Sequence, residues 1–216
     1  LTERYKISIL CSETGSEKGD NMSKSGRPRE FNKPEVLDAA METFWLKGYE
    51  ACSTEDLCNS TGLGRGSLYN AFGSKHKLYE QTLHRYHEYW IQEQTAMLER
   101  PGPVKIRLRN LLEWAVERDF EDTSKGCLLI NATMERGRTD STVESVSSRH
   151  VERLEDALCH VMEEGIQTGE IHSDRSALDL ARTFVCSYYG LRTINATTRN
   201  RSMAEQIVEG TMANIK

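Results

Sequence analysis

Proline is scarce in this chain, four in 216 residues, and runs of alternating Val, Ile and Thr bounded by turn residues are missing. Without such runs there is no signal for a β-sheet, and the sparse prolines leave long helices uninterrupted. No apolar stretch approaches the ~18 residues of a membrane-spanning helix, and no signal-peptide layout opens the chain. The expectation is a cytoplasmic protein with no membrane partner. The six cysteines, at positions 11, 52, 58, 127, 159 and 186, form no C-x-x-C pair and no zinc spacing, so they read as reduced thiols. No Ser/His/Asp set, paired carboxylates or metal motif stands out; the chain reads as no enzyme, with no cofactor and no metal site. The net charge of −5 excludes a uniformly basic coat but not a local basic patch.

What the chain does have is helical periodicity throughout, and the fold class is all-α. Residues 1–21 are the exception, carrying no such periodicity. Lys18-Gly19-Asp20 can be encoded by a ribosome-binding sequence ahead of Met22, so this stretch reads as a translated leader. Pro34 opens a helix that Gly48 stops, with Val36, Leu37, Ala40, Met41, Phe44 and Trp45 at helical spacing. Ser53, with Asp56 three residues on, announces a short second helix ending at Gly62. A third spans 65–72, with Leu68 and Phe72 on one face. Gly73 ends it, and Ser74 caps a long fourth helix whose buried stripe is Leu78, Tyr79, Leu83, Tyr86 and Trp90. Beyond Pro101-Gly102-Pro103, amphipathic patterns cover 106–120, 127–136, 143–168, 177–196 and 203–215.

The run GLGRGSLYNAFGSK, residues 62–75, has the composition of a phosphate-holding loop. A dinucleotide loop needs a preceding strand and a third glycine, but the segment before Gly62 is helical and the third position is Ser67. The other nucleotide loop needs Gly-Lys-Ser/Thr in order, and the chain has Gly73-Ser74-Lys75. A short helix, a glycine turn and a second short helix instead make a helix-turn-helix, whose second helix enters the DNA major groove. With Leu68 and Phe72 facing inward, Arg65, Ser67, Tyr69 and Asn70 remain to reach outward. Arginine pairs with guanine and asparagine with adenine, while hydroxyls suit phosphates. Gly66 lets the duplex approach the backbone. Lys75 and Lys77 lie in the first turn of the fourth helix, where the dipole disfavours cations unless an anion also binds. Arg27, Arg29 and Lys33 lie in an irregular segment suited to following a minor groove.

The ordered set Gly48-Tyr49, Ser53-Thr54, Thr61-Gly62-Leu63, Leu68-Tyr69, Phe72, Ser74-Lys75 and Leu78 resembles the DNA-binding domain of the TetR/AcrR family of bacterial regulators. The resemblance implies a DNA-binding domain over 22–80 and a helical effector-binding and dimerisation domain over 81–216. It implies phosphate contacts from Thr54, Tyr69 and Lys75, with Ser53 and Lys77 beside them. Base or backbone contacts fall to Arg65, Gly66, Ser67 and Asn70. The expected partners are a palindromic double-stranded DNA operator, a small-molecule effector and a second copy of the chain, with repression relieved when the effector binds. Phe184, Tyr189, Leu191, Ile207 and Met212 on the last two helices are the expected dimer interface. Trp114, Cys127, Asn131, Met134 and Tyr188 are the expected effector-pocket lining.

Three competing readings accompany these. The N-terminal helices could serve a protein-interaction adaptor. Cys127, at a helix start beside Lys125, could act as a redox or electrophile sensor, although a small buried hydrophobe is the expected role. His84 and His87, three apart near Glu80 and Glu88, are expected on a solvated mixed-charge face rather than on a metal.

Overall fold

The computed structural model describes residues 31–121 and 125–216, so residues 1–21, Arg27 and Arg29 lie outside the described residues. Among the described residues there are nine helices and no strand: α1 (Lys33–Lys47), α2 (Thr54–Thr61), α3 (Arg65–Phe72), α4 (Lys75–Leu98), α5 (Val104–Phe120), α6 (Leu128–Arg136), α7 (Ser141–Thr168), α8 (Ala177–Thr198) and α9 (Arg201–Ala213). No described helix is long and apolar enough to cross a membrane.

The short helices are held by their ends, because eight residues are too few for a stable isolated helix. At the start of α2 the Ser53 hydroxyl accepts from the Asp56 N–H at 3.1 Å, and the Asp56 carboxylate accepts from the Ser53 N–H at 2.9 Å. This reciprocal capping box satisfies two donors that the helix start would otherwise leave unpaired. Lys47, at the end of α1, pairs with the same carboxylate, and together with Ser53 it lowers the Asp56 pKa to about 2. Gly62 leaves α2 in the left-handed region, φ 68°, which turns the chain sharply into α3.

The helix-turn-helix sits on α1 and the start of α4. Val36, Ala40 and Phe44 of α1, Leu57 of α2, and Leu68 and Phe72 of α3 are buried, as are Leu78 and Tyr79 of α4. Phe44 meets the Tyr79 ring edge-on at 4.9 Å. The larger core lies beyond Ile91. It joins Leu108, Leu111 and Leu112 of α5, Leu154, Leu158 and Met162 of α7, Phe184, Tyr188 and Leu191 of α8, and Val208 and Met212 of α9. Burying side chains of this size contributes about 1.5–3 kcal/mol each, against the entropy of ordering them.

Candidate nucleic-acid interface and buried polar cluster

The expected recognition helix presents its polar residues to solvent. Leu68 and Phe72 turn inward, while Arg65, Gly66, Ser67 and Asn70 are exposed and Tyr69 is half-buried. Tyr69 reaches back across the turn, and its hydroxyl lies 2.6 Å from that of Thr54 in the first turn of α2. Two residues expected on phosphates are thus one hydroxyl pair joining the two helices of the motif. Ser53 is beside them, but its hydroxyl is engaged in the α2 cap.

Glycine at position 66 is required neither by a left-handed backbone nor by crowding. A Cβ built there would meet no heavy atom within 4 Å. Lys75 lies 4.4 Å over the Tyr49 ring, within cation–π range. Lys77 forms an ion pair with Glu80 at 2.6 Å. That pairing offsets the unfavourable helix-end position that sequence alone had connected with an external anion.

Between α4, α6, α7 and α8 the interior is polar. Gln94 Nε2 donates to the Tyr188 hydroxyl at 3.0 Å, leaving Gln94 Oε1 buried without a hydrogen bond. The Tyr86 hydroxyl donates to Cys127 Sγ at 3.5 Å. Burial pushes Tyr188 up to about 12 and Tyr86 well above its ordinary value, so both phenols stay protonated. Arg192 of α8 donates through Nε and Nη2 to Asp119 Oδ1 of α5, at 3.2 and 2.8 Å, and Asn195 Nδ2 donates to Asp119 Oδ2. Both members of this ion pair are buried, and each is the other's neutralising partner.

His87 and His150 meet edge-on in the same interior with their Nδ1 atoms 3.0 Å apart. His87 Nε2 is buried without a hydrogen bond. Burial, the neighbouring His87 and Arg192 hold His150 down at about 3, so the pair is neutral near neutrality. The expectation of a solvated His84–His87 face holds only for His84. His87 is 1% exposed, because it follows Tyr86 on the stripe that α4 buries against α7.

The expected effector lining divides in two. Cys127 and Tyr188 belong to the buried cluster, and half-buried Trp114 packs on Trp90 with ring centroids 5.5 Å apart. Asn131 and Met134 do not belong there. The short α6 buries Leu128, Leu129 and Ala132, which turns Asn131 outward to the Lys125 carbonyl and leaves Met134 79% exposed. The expected dimer residues divide as well. Phe184 and Leu191 are each 1% exposed and Met212 is buried, all within the chain's own core; Tyr189 and Ile207 are partly buried at its edge. Sequence reasoning overlooked Gln94, His150, Asp119, Arg192 and Asn195. Their polarity on otherwise apolar helix faces was the available signal.

The comparisons with known proteins agree with this architecture. The family model for bacterial regulatory proteins of the tetR family matches residues 36–82, and the Tetracyclin repressor-like C-terminal domain model matches residues 99–210. YezE of Bacillus subtilis, an HTH-type transcriptional regulator, is 31% identical over 187 residues, spanning 85% of this chain and 96% of that protein. ComR of Escherichia coli, an HTH-type transcriptional repressor, is 30% identical over 173 residues, spanning 77% and 80%. A cysteine mutant of the TetR family transcriptional regulator CifR, solved in complex with 26-base-pair double-strand operator DNA, aligns with a TM-score of 0.78 and 26% identity, covering 88% of this chain and 100% of that one. The chain belongs to the TetR family of bacterial regulatory proteins and is a helix-turn-helix, DNA-binding transcriptional regulator.

Proposed function

We propose that the chain is a homodimeric, cytoplasmic repressor that binds a palindromic operator and lets go when a small molecule occupies the buried polar cluster. The observation that carries the DNA reading is the outer face of α3. Arg65, Ser67 and Asn70 are exposed there beside the Thr54–Tyr69 hydroxyl pair, while the apolar face alone is spent on the core. In this reading Arg65 and Asn70 meet base edges, and Thr54, Tyr69, Lys75 and Ser67 hold phosphates, with Ser53 fixing the helix start behind them. Gly66 admits the duplex backbone. Lys77, paired with Glu80, stands beside these contacts, and Arg27 and Arg29, outside the described residues, would supply minor-groove contacts.

CifR is captured on operator DNA and ComR is named a repressor, which supports the same reading for this chain. The effector reading rests on the interior. Gln94 Oε1 and His87 Nε2 are buried without a hydrogen bond, where a packed apolar core would have no such groups. Tyr188 holds Gln94, and Cys127 lies nearby against Tyr86. Dimerisation falls to the edges of α8 and α9, with Tyr189, Ile207 and Met203 in place of the core residues Phe184 and Leu191.

The test is a titration of fluorescent random-sequence duplexes at two salt concentrations. Counterion release predicts an affinity loss of more than about tenfold between roughly 50 and 200 mM salt. Binding that ignores salt, or no binding at all, would remove the DNA reading and leave a protein-interaction adaptor.

A further inference from the structure

The end of α6 reaches out of the effector domain and holds the backbone of the DNA-binding domain. Glu135, the next-to-last residue of α6, accepts two hydrogen bonds with one carboxylate. The Tyr49 N–H donates to Oε2 at 2.9 Å and the Glu50 N–H to Oε1 at 2.9 Å. Those amides form the turn between α1 and α2, directly after Gly48. Gly48 adopts φ 76°, and a Cβ there would come within 3.0 Å of the Glu135 carboxylate. The turn is therefore shaped to admit this group.

Neighbouring residues reinforce the grip. Arg136 pairs with Glu50, lies 4.2 Å from the Tyr49 ring centroid, and donates to Asp140 at 3.3 Å. Asp140, the N-cap of α7, also meets His76 Nε2 at 2.8 Å in the first turn of α4. Lys125 pairs with Glu42 of α1. These other links join one side chain to another, and the exposed pairs among them contribute little to holding a geometry; Asp140 is buried and Glu135 is itself exposed. Glu135 differs because it binds main chain, and a carboxylate accepting two amide donors is a charge-assisted, two-point contact.

At the opposite end of α6, Cys127 stands at the N-cap position and accepts from the Tyr86 hydroxyl in the buried polar cluster. Nine residues of helix, about 13 Å, thus connect the cluster to the turn. We infer that Glu135 is a positioning residue that fixes the angle of the helix-turn-helix on the effector domain, and so sets the half-site spacing a dimer will accept. This rests on the dimeric operator reading above. Freed from Glu135, each DNA-binding unit would still recognise its own half-site. It would do so over a broader range of orientations, lowering the effective concentration with which the second unit engages.

The experiment compares wild type, Glu135→Ala and Glu135→Gln on three duplexes: the palindrome recovered by selection, a single half-site of it, and palindromes with one or two base pairs added or removed at the centre. Glu135→Ala should bind the palindrome about tenfold more weakly, bind the half-site within about twofold of wild type, and discriminate less among spacings. Glu135→Gln, which keeps an oxygen acceptor for one amide, should fall between. Amide resonances of Tyr49 and Glu50 should move in both variants. Equal losses on palindrome and half-site would show mere damage to the DNA-binding unit, and an unaltered spacing profile would show that other contacts set the angle; either overturns the inference. A wild-type protein that prefers no palindrome over a half-site would instead overturn the dimeric reading itself.

Discussion

The hydroxyls of Thr54 and Tyr69 stand 2.6 Å apart, tying the first turn of α2 to the outer face of α3. Each hydroxyl has one proton and two acceptor positions, so the pair can bond internally and still offer a donor to an outside oxygen. In the proposed complex that oxygen would belong to a phosphate. Thr54→Val and Tyr69→Phe should each weaken operator binding about three- to tenfold, corresponding to one hydrogen bond. The double variant should lose less than the product of the two, since both act on one linked pair. The preferred sequence should stay the same, because phosphates carry no base information. A titration series over operator variants checks all three points; an altered sequence preference would count against the phosphate assignment.

Gly66 separates stability from binding. A methyl group at this position meets nothing within 4 Å in the free protein. Alanine favours a helix interior over glycine by about 0.5–1 kcal/mol. Gly66→Ala should therefore raise the melting temperature while lowering operator affinity, because in the proposed complex the methyl group would stand where the duplex approaches. Thermal melts and duplex titrations on one preparation would decide it. Operator affinity that survives the substitution would remove Gly66 from the interface.

The buried histidine pair predicts acid sensitivity. His150 titrates at about 3 in the fold, against 6.5 for an ordinary histidine, chiefly because burial penalises its charged form. A group depressed on folding takes up its proton more readily in the unfolded chain. Its contribution is fully present above about pH 6.5 and is lost as pH falls from there toward 3. His87 is lowered by the same cause and adds in the same direction. Asp140 is lowered as well. Burial opposes its ionisation, but hydrogen bonds from His76, the Val143 N–H and Arg136 outweigh that, so its contribution is lost at still more acid pH. Melting temperatures should drop between pH 7 and pH 5, and His150→Gln should flatten that part of the profile. An equally steep drop in the variant would assign the sensitivity elsewhere.

The last two helices separate core from interface. Phe184→Ala should destabilise the protein by about 3–5 kcal/mol, the cost of emptying a fully buried aromatic site, through loss of the chain's own packing. Ile207→Arg and Met203→Arg, at partly buried and exposed positions on α9, should leave the monomer folded and weaken self-association. Sedimentation paired with thermal melts distinguishes the two classes. A folded Met203→Arg, Ile207→Arg double variant that remains fully dimeric would place the interface elsewhere.

Local chemistry was legible in the sequence because it is short-range. The Ser53–Asp56 box, the left-handed Gly62, the 65–72 span of α3 and the Ser74 cap all depend on residues within four positions of one another. Periodicity located Leu68 and Phe72 inside, and Arg65 and Asn70 outside, for the same reason. The polar cluster was not legible. Gln94 meets Tyr188 across 94 positions and Asp119 meets Arg192 across 73, and nothing in a helical pattern pairs one distant helix with another. His87 illustrates the cost: at the margin of the α4 stripe it read as solvated, whereas α7 covers it and supplies His150 as partner. Asn131 and Met134 face outward for a related reason. In a nine-residue helix with three buried positions, the inward face is set by the helices beneath it.

In the proposed complex two copies of α3 read a palindrome. In vitro selection from a random duplex pool, carried out with ligand-free protein, tests it most directly. The expected product is an inverted repeat whose half-sites lie about one helical turn, or a multiple of it, apart. Arg65→Ala and Asn70→Ala should relax individual base positions within each half. Recovery of no sequence preference from folded protein, or of a preference indifferent to both substitutions, would contradict the proposed complex.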